Sequence, residues 1–398
     1  MLKSTILQRF IFKELFFIFC LAVVAFITMV LIARGVQMRE LFMGLELGFT
    51  DMLELFFYLS PFFMVIIMPI ASMLTVFLTF LRINSDNELM ALKASGISPL
   101  QLLPAPLLLG VLAMLGALLI SVFAVSWGMS NFRGTLMDIA QTRTRLVLQP
   151  GVFNKDIPGV TIFARQTDLD SGALRQVMVE DRSTDQHSLV ILAPTGEILT
   201  DEFRGEIMFR LHNGRLYRTA DEQLSVMGFG EYELRLDLSQ LFVGADLGPV
   251  RPKEMSFPDL FELRAGGLRD KVEEGDYAEY REKSEVEIHK RLIFPTACLI
   301  MAFFAVPLAC YFQGLGRQYG IVLCMMVFFI YYSLISFSVS VSMLVKGVPV
   351  WALMWAPNIL FTVLGLYFFY LTLHEKRLNL TGLRIRLKGL HFGRRKAA

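Results

Sequence analysis

Six long apolar segments, separated by polar stretches, set the pattern of the chain. None of them contains a charged residue, and they cover 15–33, 55–81, 102–127, 292–312, 321–345 and 348–373. A helix needs roughly 20 apolar residues to cross about 30 Å of hydrocarbon, and several of these segments are long enough to tilt or to continue past the interface. The pattern therefore predicts six transmembrane helices, three before and three after a long polar insertion.

The polar insertion has the pattern of β-structure. Short, regularly spaced runs rich in β-branched and aromatic residues lie at 159–166, 175–181, 188–198, 206–218 and 231–238. The dipeptide Asn213-Gly214 favours a hairpin turn. We predict an antiparallel β domain of sandwich or jelly-roll type, followed by a charged helical stalk that leads into the fourth apolar segment.

Basic residues indicate the orientation of the six helices. They precede the first segment, border the links between segments two and three and between four and five, and fill the tail: Lys3, Arg9, Lys13, Arg82, Lys93, Arg317 and eight residues from Lys376 to Lys396. By the positive-inside rule this side is the cytoplasm, so both termini are cytoplasmic and the β domain lies on the other side. The first segment is longer than the apolar part of a signal peptide, and we expect a retained helix.

These signals divide the chain into five predicted parts. Residues 1–130 hold transmembrane helices 1–3 with a short cytoplasmic helix at 85–97, and 131–255 form the β domain. The stalk covers 256–290, transmembrane helices 4–6 cover 291–375, and 376–398 form a basic cytoplasmic tail.

Composition agrees with a membrane protein and argues against several other classes. Of 398 residues, 55% are hydrophobic and 19% charged, with a mean hydropathy of +0.54. A formal net charge of +2 does not indicate a nucleic-acid partner. The five histidines are scattered and the four cysteines lie in apolar runs, so no metal site is expected. Phosphate-loop, nucleophile-elbow and zinc-helix motifs are lacking, which argues against an enzyme, and helices without charges at depth argue against an ion-coupled carrier.

The link between the second and third apolar segments reads "NSDNELMALKASGISP", residues 84–99. Ser85 followed by Glu88 predicts a capping box at the start of a helix of about ten residues. Gly96 suits a left-handed position after its last turn, and Pro99 prevents its continuation.

So short a helix is marginal alone in water and needs packing to persist. Leu89 and Leu92 supply apolar surface, and Ala94 is small enough for a partner to approach closely. Two interpretations remain open at this point. The helix packs on its own transmembrane helices with Glu88 acting only as a cap, or it is a docking helix for a cytoplasmic motor.

The sequence "NELMALKASGISP" resembles the E-L-x-x-L-x-A-x-G-[IL]-S coupling-helix segment of the lipopolysaccharide-export permeases, the LptF/LptG (YjgP/YjgQ) family. The resemblance extends over nearly the whole chain: three spans, an external β domain, then a stalk and "EIHKRLIFPTACLIMAFFAVPLA" at 287–309. Between the two paralogues, "EIHKR", Pro307 and the long basic tail are more similar to LptF.

The resemblance implies a subunit of an ABC exporter in a Gram-negative inner membrane. A heterodimer with an LptG-like permease, an LptB-like ATPase dimer that binds ATP and Mg, and LptC-like and LptA-like periplasmic β proteins would be its partners. This chain itself would need no cofactor. The coupling helix would dock on the ATPase, with candidate residues Ser85, Glu88, Leu89, Leu92, Ala94 and Gly96.

Lipopolysaccharide contacts are expected where basic groups border apolar walls, since the lipid carries acyl chains and phosphates. Arg34 and Arg39 follow the first span and Arg133 follows the third. In the family, lateral gates lie between span one of one subunit and span five of the other, which nominates Phe329, Tyr332 and Phe337. Interfacial anchoring of the arginines and ordinary helix packing of the aromatics are the alternatives.

The expected function is therefore that of a permease subunit that extracts lipopolysaccharide from the outer leaflet of the inner membrane. A separate ATPase would power the transfer to a periplasmic bridge. Two alternatives stay open: the LptG-type paralogue of the same complex, and a membrane-anchored scaffold or transmitter that passes no lipid.

Overall fold

The computed structural model describes residues 2–39, 48–96, 98–147, 151–157, 160–167, 173–184, 187–201, 206–220, 223–237, 250–267, 277–311, 317–345 and 347–374. The predicted basic tail at 376–398 lies outside these ranges. The long helices are α1 (Leu2–Gln37), α2 (Phe49–Ser85), α5 (Pro104–Leu119), α6 (Val125–Val147), α8 (Tyr277–Tyr311), α9 (Arg317–Leu344) and α10 (Val350–Leu373). The short helices are α3 (Glu88–Ala94), α4 (Pro99–Leu102) and α7 (Phe257–Ala265).

Six helical stretches in the described ranges are long and apolar enough to cross a membrane, which confirms the predicted number. They are Ile6–Gln37, Phe49–Ser85, Leu100–Ile139, Tyr277–Tyr311, Tyr319–Leu344 and Val350–Leu373. The third contains a π-helical segment, Ile120–Ala124, between α5 and α6. Such segments are rare and are frequent at functional sites.

The described chain divides into two compact units. The first consists of the described residues within 1–24, 66–117 and 292–374, and the second of those within 25–65 and 118–291. Within the first unit, helices approach closely at glycines: a Cβ added at Gly110 would lie 3.1 Å from atoms of Leu299 and Ala302. The Tyr331 hydroxyl donates to Asn358 Oδ1 (2.6 Å), and Asn358 Nδ2 donates to Thr296 Oγ1 (2.9 Å), so these buried polar groups are paired.

The second unit contains the β domain. Its strands are β1 (Phe153–Ile157), β2 (Val160–Thr167), β3 (Ala173–Thr184), β4 (His187–Asp201), β5 (Glu206–Ala220) and β6 (Gln223–Asp237). They form one antiparallel sheet in sequential order, which confirms an antiparallel β domain inserted between the helices. The connectivity of the described strands is that of a meander and lacks the crossovers of a Greek-key jelly roll, because each strand pairs with its neighbour in sequence.

One face of this sheet forms the core of the domain. Ile162, Val179 and Ile191 are cross-strand partners on β2, β3 and β4, and all three are fully buried. The cluster continues through Phe209 and Leu211 on β5 and includes three helical residues, Leu55, Leu136 and Met137. The alternation of buried and exposed positions follows from the two-residue period of a strand.

The prediction of a hairpin turn at Asn213-Gly214 is wrong, because β5 continues through both residues. Asn213 has a φ of 53°, a left-handed conformation that asparagine tolerates. A Cβ at Gly214 would overlap the Phe229 ring and the Leu192 carbonyl. The dipeptide therefore allows close packing of β4, β5 and β6 at this point.

The chain leaves the sheet through α7. Ser256 caps this helix: its Oγ accepts from the Asp259 backbone N–H at 3.3 Å, and Asp259 Oδ2 accepts from the Ser256 N–H. The helix ends at Gly266, whose φ is 101°. After the undescribed residues 268–276, α8 runs from Tyr277 to Tyr311 as one helix that contains Pro295 and Pro307.

Candidate functional site

The short helix α3 starts differently from the prediction. Ser85 is the last residue of α2, and Glu88 is the first residue of α3, so they do not form the expected capping box. α2 extends this far because the Asp86 N–H still donates to the Arg82 carbonyl at 2.9 Å. Asn87 has a φ of 57°, and its carbonyl accepts the first backbone hydrogen bond of α3, from the Ala91 N–H at 3.1 Å.

The end of α3 agrees with the prediction. In the last backbone hydrogen bond of the helix, the Ser95 N–H donates to the Ala91 carbonyl at 3.0 Å. Gly96 has a φ of 80°, the expected left-handed conformation. Pro99 then begins the new helix α4, at which Ser98 N donates to Gln101 Oε1 at 3.2 Å. The helix between the two turns has only 7 residues.

Side-chain burial separates an anchoring residue of α3 from exposed ones. Leu89 is buried and Leu92 half-buried. Glu88 and Ala94 are exposed, and the Met90 side chain is 70% exposed. Leu89 therefore anchors the helix to its own protein, while an acidic, an apolar and a small side chain remain on the surface.

Contacts with α1 flank α3 on both sides. Before it, Arg82 forms an ion pair with Glu14 at 2.6 Å. After it, Gln8 Nε2 donates to the Gln101 carbonyl. The sequence did not nominate Glu14 or Gln8, although Glu14 is the charged residue directly before the first apolar segment.

Arg34 and Arg39 are exposed near the end of α1. The Arg34 guanidinium lies 5.2 Å from the centroid of the Phe63 ring, and Arg34 donates to Gln37 Oε1 at 2.9 Å. A cation over an aromatic ring holds its position while keeping exposed donors. This geometry suits an anion-binding side chain at a membrane surface.

Arg133 differs from these two arginines because it is buried. It forms an ion pair with Glu254 at 3.2 Å, with both side chains at most 10% exposed. Burial raises the pKa of the Glu254 carboxyl above its usual value, and this effect outweighs the nearby Arg133 charge, which lowers it. Arg133 therefore packs inside the second unit, away from the exposed site that its position in the sequence suggested.

The three nominated aromatics are exposed along α9, with Phe329 at 70%, Tyr332 at 39% and Phe337 at 67%. They belong to one of the two least buried spans. Of the most apolar 18-residue stretch of each helix, 11% is buried in α1 and 22% in α9. The corresponding share in α2 is 78%. Both helices thus present apolar faces that lipid or another protein must cover.

A buried polar cluster that the sequence did not predict holds the second unit together. Arg291 is 2% exposed and donates to Ser126 Oγ at 2.9 Å, Met255 O at 2.8 Å and Lys253 O at 3.2 Å. Glu287, one turn earlier on α8, forms an ion pair with Arg291, with 3.5 Å between Glu287 Oε1 and Arg291 Nε. The guanidinium therefore links α6, the segment before α7, and α8.

The carbonyl of Arg291 is also satisfied from outside its helix. Pro295, four residues later, has no N–H to donate to it. Ser121, in the π-helical segment, donates its hydroxyl to this carbonyl at 3.0 Å. We call Ser121, Ser126, Met255 and Arg291 the Arg291 junction. In the sequence, Pro295 and the motif "EIHKR" at 287–291 indicate its position.

Three spans, an inserted β domain, three further spans and a short helix after the second span define a multi-pass membrane protein. A family model described as lipopolysaccharide export system permease LptF/LptG matches residues 9–371. The chain belongs to this family, whose members are inner membrane components of the lipopolysaccharide transport complex. No curated protein matched the chain.

Proposed function

We propose that this chain is an LptF-type permease subunit that extracts lipopolysaccharide from the outer leaflet of the inner membrane. The lipid then passes to a periplasmic bridge, and a separate LptB-like ATPase dimer, which holds ATP and Mg, supplies the force. The observation that carries the proposal is α3, an exposed short helix between the second and third spans.

The surface of α3 suits docking to another protein. A helix of 7 residues is not stable by itself, and its burial on this chain is limited mainly to Leu89 and part of Leu92. The exposed carboxylate of Glu88 would meet a basic group of the ATPase, and the exposed Met90 would pack against an apolar surface.

The orientation follows from charge. With Lys3, Arg9, Lys13 and the basic tail in the cytoplasm, α3 faces the cytoplasm and the β domain faces the periplasm. The ion pair between Glu14 and Arg82 then lies at the cytoplasmic ends of α1 and α2, where movement of a docked ATPase would reach α1.

The membrane partner and the lipid would cover α1 and α9. Their apolar faces suit an LptG-like permease on the other side of a shared cavity, with Phe329, Tyr332 and Phe337 toward acyl chains. Arg34 and Arg39 are candidates for the phosphates.

The periplasmic partners would bind at the sheet edges. β1 and β6 are the terminal strands of the described sheet, and an open edge accepts a strand from a neighbour. Val226 and Met227 on β6 are exposed, at 56% and 66%. We propose this surface for LptC-like or LptA-like β proteins.

Reconstitution tests the proposal. The complex is placed in liposomes with lipopolysaccharide, and ATP-dependent release to a periplasmic acceptor is measured with and without this chain. The variants Glu88→Ala and Met90→Asp are expected to insert normally but to lose most ATPase co-purification and release. Glu262→Ala, an exposed acid on α7, is the control. Unchanged release without the chain would support a scaffold role instead.

The paralogue assignment has its own test. Photo-crosslinkers placed on α1 and α9 of this chain and of its partner permease identify which subunit contacts the LptC-like protein at each helix. A pattern of contacts that matches the LptG position would reverse the assignment while leaving the exporter function intact.

A further inference from the structure

Helix α9 is attached to its unit along one narrow stripe. Between Tyr319 and Leu344 its buried positions recur at intervals of three, four or seven residues and so share one face: Gly320, Cys324, Tyr331, Ile335, Ser338 and Ser342. Tyr331 and Ile335 are the large side chains of this stripe, and the others are small. The rest of the surface of α9 is half-buried or exposed, so a few side chains decide how this helix is held.

Tyr331 joins α9 to two neighbouring helices. Its hydroxyl donates to Asn358 Oδ1 on α10 at 2.6 Å. Asn358 Nδ2 in turn donates to the Thr296 hydroxyl at 2.9 Å and to the Ile293 carbonyl at 3.2 Å, both on α8. Tyr331 and Asn358 are 1% and 2% exposed, and hydrocarbon offers no substitute hydrogen-bond partner for either of them. This contact is therefore expected to persist while other contacts of α9 change.

The contact lies at the middle of the helix. α9 runs from Arg317 to Leu344, so that 14 residues precede Tyr331 and 13 follow it. At 1.5 Å per residue, each half is about 20 Å long. A shift of the whole helix would break buried hydrogen bonds, whereas a tilt about Tyr331 only slides small side chains past their neighbours. Ile335, the other large side chain, is one turn from Tyr331 and moves little in such a tilt.

The start of α9 lies against the end of α2. A Cβ added at Gly320 would be 2.5 Å from Leu81 Cδ2 and 3.1 Å from Phe77 Cε1, so the two helices touch there. α2 ends at Ser85, and α3 begins at Glu88. A movement of α3 that displaces the end of α2 would therefore reach the first turns of α9 by direct contact.

We propose that Tyr331 is the pivot about which α9 tilts, so that a displacement of its first turns moves its last turns in the opposite direction. Tyr331 is then a positioning residue, because its side chain is buried and acts on lipid only through the exposed face of α9. The tilt follows from the contacts of α9 itself. Its use in moving lipid rests on the export function proposed above.

Distances between spin labels test the pivot in the complex, purified with its associated subunits and placed in nanodiscs. One label replaces Tyr319 or Leu344, which are 69% and 80% exposed at the two ends of α9. The reference label replaces the exposed Val363 on α10 or Leu112 on α5, so that two directions of movement are observed. Cys20 is changed to serine, and the other three cysteines are buried.

Addition of ATP and vanadate is expected to move the two ends of α9 in opposite directions relative to a reference label. A tilt of about 10° displaces each end by about 3 Å, given halves of about 20 Å. Changes of the same sign at both ends, or no change at either end, would overturn the pivot. A preparation without an ATPase would count against the export function instead, and the variants below are therefore measured without nucleotide as well.

Two neighbouring tyrosines provide a matched pair of variants. Tyr331→Phe removes only the buried hydroxyl and is expected to broaden the distance distributions at both ends of α9, because the helix loses its fixed point. Tyr332→Phe removes a hydroxyl from the adjacent, 39% exposed side chain and is expected to leave them unchanged. Equal broadening in both variants, or none in Tyr331→Phe, would contradict the proposal.

A double variant separates positioning from stability. Tyr331→Phe with Asn358→Leu replaces both partners by apolar groups, which leaves no unpaired oxygen at the contact. It is expected to recover the melting temperature lost in Tyr331→Phe without recovering the opposite movement of the two ends. Recovery of that movement together with the melting temperature would show that the hydrogen bond serves stability alone and would overturn the proposal.

Discussion

The Arg291 junction and the helix α3 use charged and polar groups in opposite ways. In the junction the Arg291 guanidinium is 2% exposed and donates to four oxygens, those of Ser126, Lys253, Met255 and Glu287. On α3, Glu88 is exposed to solvent. A buried charge without partners is very unfavourable, whereas an exposed charge costs little and stays available to a partner. Buried polar groups therefore fix geometry in this protein, and exposed ones are suited to binding.

The largest effect is expected when the junction loses its cation. Arg291→Met removes the Arg291 donor to the Lys253 carbonyl, one of two donors to the Met255 carbonyl, and the ion partner of Glu287, at an expected cost of about 3–5 kcal/mol in unfolding free energy. Thermal unfolding in detergent, followed by tryptophan fluorescence, measures this. Arg82→Met, at a half-exposed ion pair, is the control and is expected to cost no more than about 1 kcal/mol. Similar losses in both variants would contradict the comparison.

A second prediction concerns the buried pair of Arg133 and Glu254. Arg133→Met removes the ion-pair partner of the buried carboxylate at an expected cost of about 2 kcal/mol, and Arg133→Met with Glu254→Met together is expected to cost less than Arg133→Met alone. Denaturant unfolding of both variants measures the difference. Equal losses in the single and double variants would show that the pair acts through packing only.

The same pair gives a dependence on pH. Because burial raises the pKa of Glu254 in the folded state, the folded protein holds its proton more tightly than the unfolded chain does. The stability contribution of Glu254 therefore falls as pH rises through this pKa. Loss of Arg133 raises the pKa further, so Arg133→Met is expected to destabilise more at about pH 8 than at about pH 5. Unfolding measured at both values checks the sign.

A smaller effect on stability is expected at the ion pair of Glu14 and Arg82 beside α3. Glu14→Gln is expected to cost at most about 1 kcal/mol, because Arg82 remains half-exposed to water. Coupling should respond more strongly, with more ATP hydrolysed for each lipid released. The charge exchange Glu14→Arg with Arg82→Glu is expected to restore that ratio. Failure of this rescue would separate the ion pair from coupling.

The smallest effect is expected on the outer surface of the sheet. Arg210 contacts Glu197, Glu231 and Glu233 at 3.1–3.3 Å in exposed positions. The hydrogen bond from Arg210 lowers the pKa of Glu233 in the folded protein. The stabilisation that Glu233 contributes is therefore present above its pKa in the unfolded chain and is lost as the pH falls through its pKa in the folded protein. Glu233→Gln should shift the melting temperature slightly at neutral pH and not at strongly acidic pH.

The spans and the location of α3 could be predicted because their signals are local. Twenty uncharged apolar residues have few alternatives to a membrane helix, and Gly96 marks the end of α3 by its own backbone freedom. The start of α3 could not be read in the same way. Ser85 has the side chain of a cap, but continuation of α2 decided its position.

The predictions that failed depended on distant residues. Asn213-Gly214 is a local turn signal, yet β5 continues through it, and Phe229 of β6 packs over Gly214. Arg133 looked exposed because it follows an apolar run, but its partner Glu254 lies 121 residues away. Ser121 and Arg291 are 170 residues apart, and only the tertiary structure brings them together.

The sequential strand order has a consequence for biogenesis. Every described strand pairs only with its neighbours in the chain, so the contacts within the sheet are local in sequence. Local pairing lowers the entropy cost of loop closure and speeds folding. The sheet can therefore assemble hairpin by hairpin as the nascent chain emerges, before the last three helices have been synthesised.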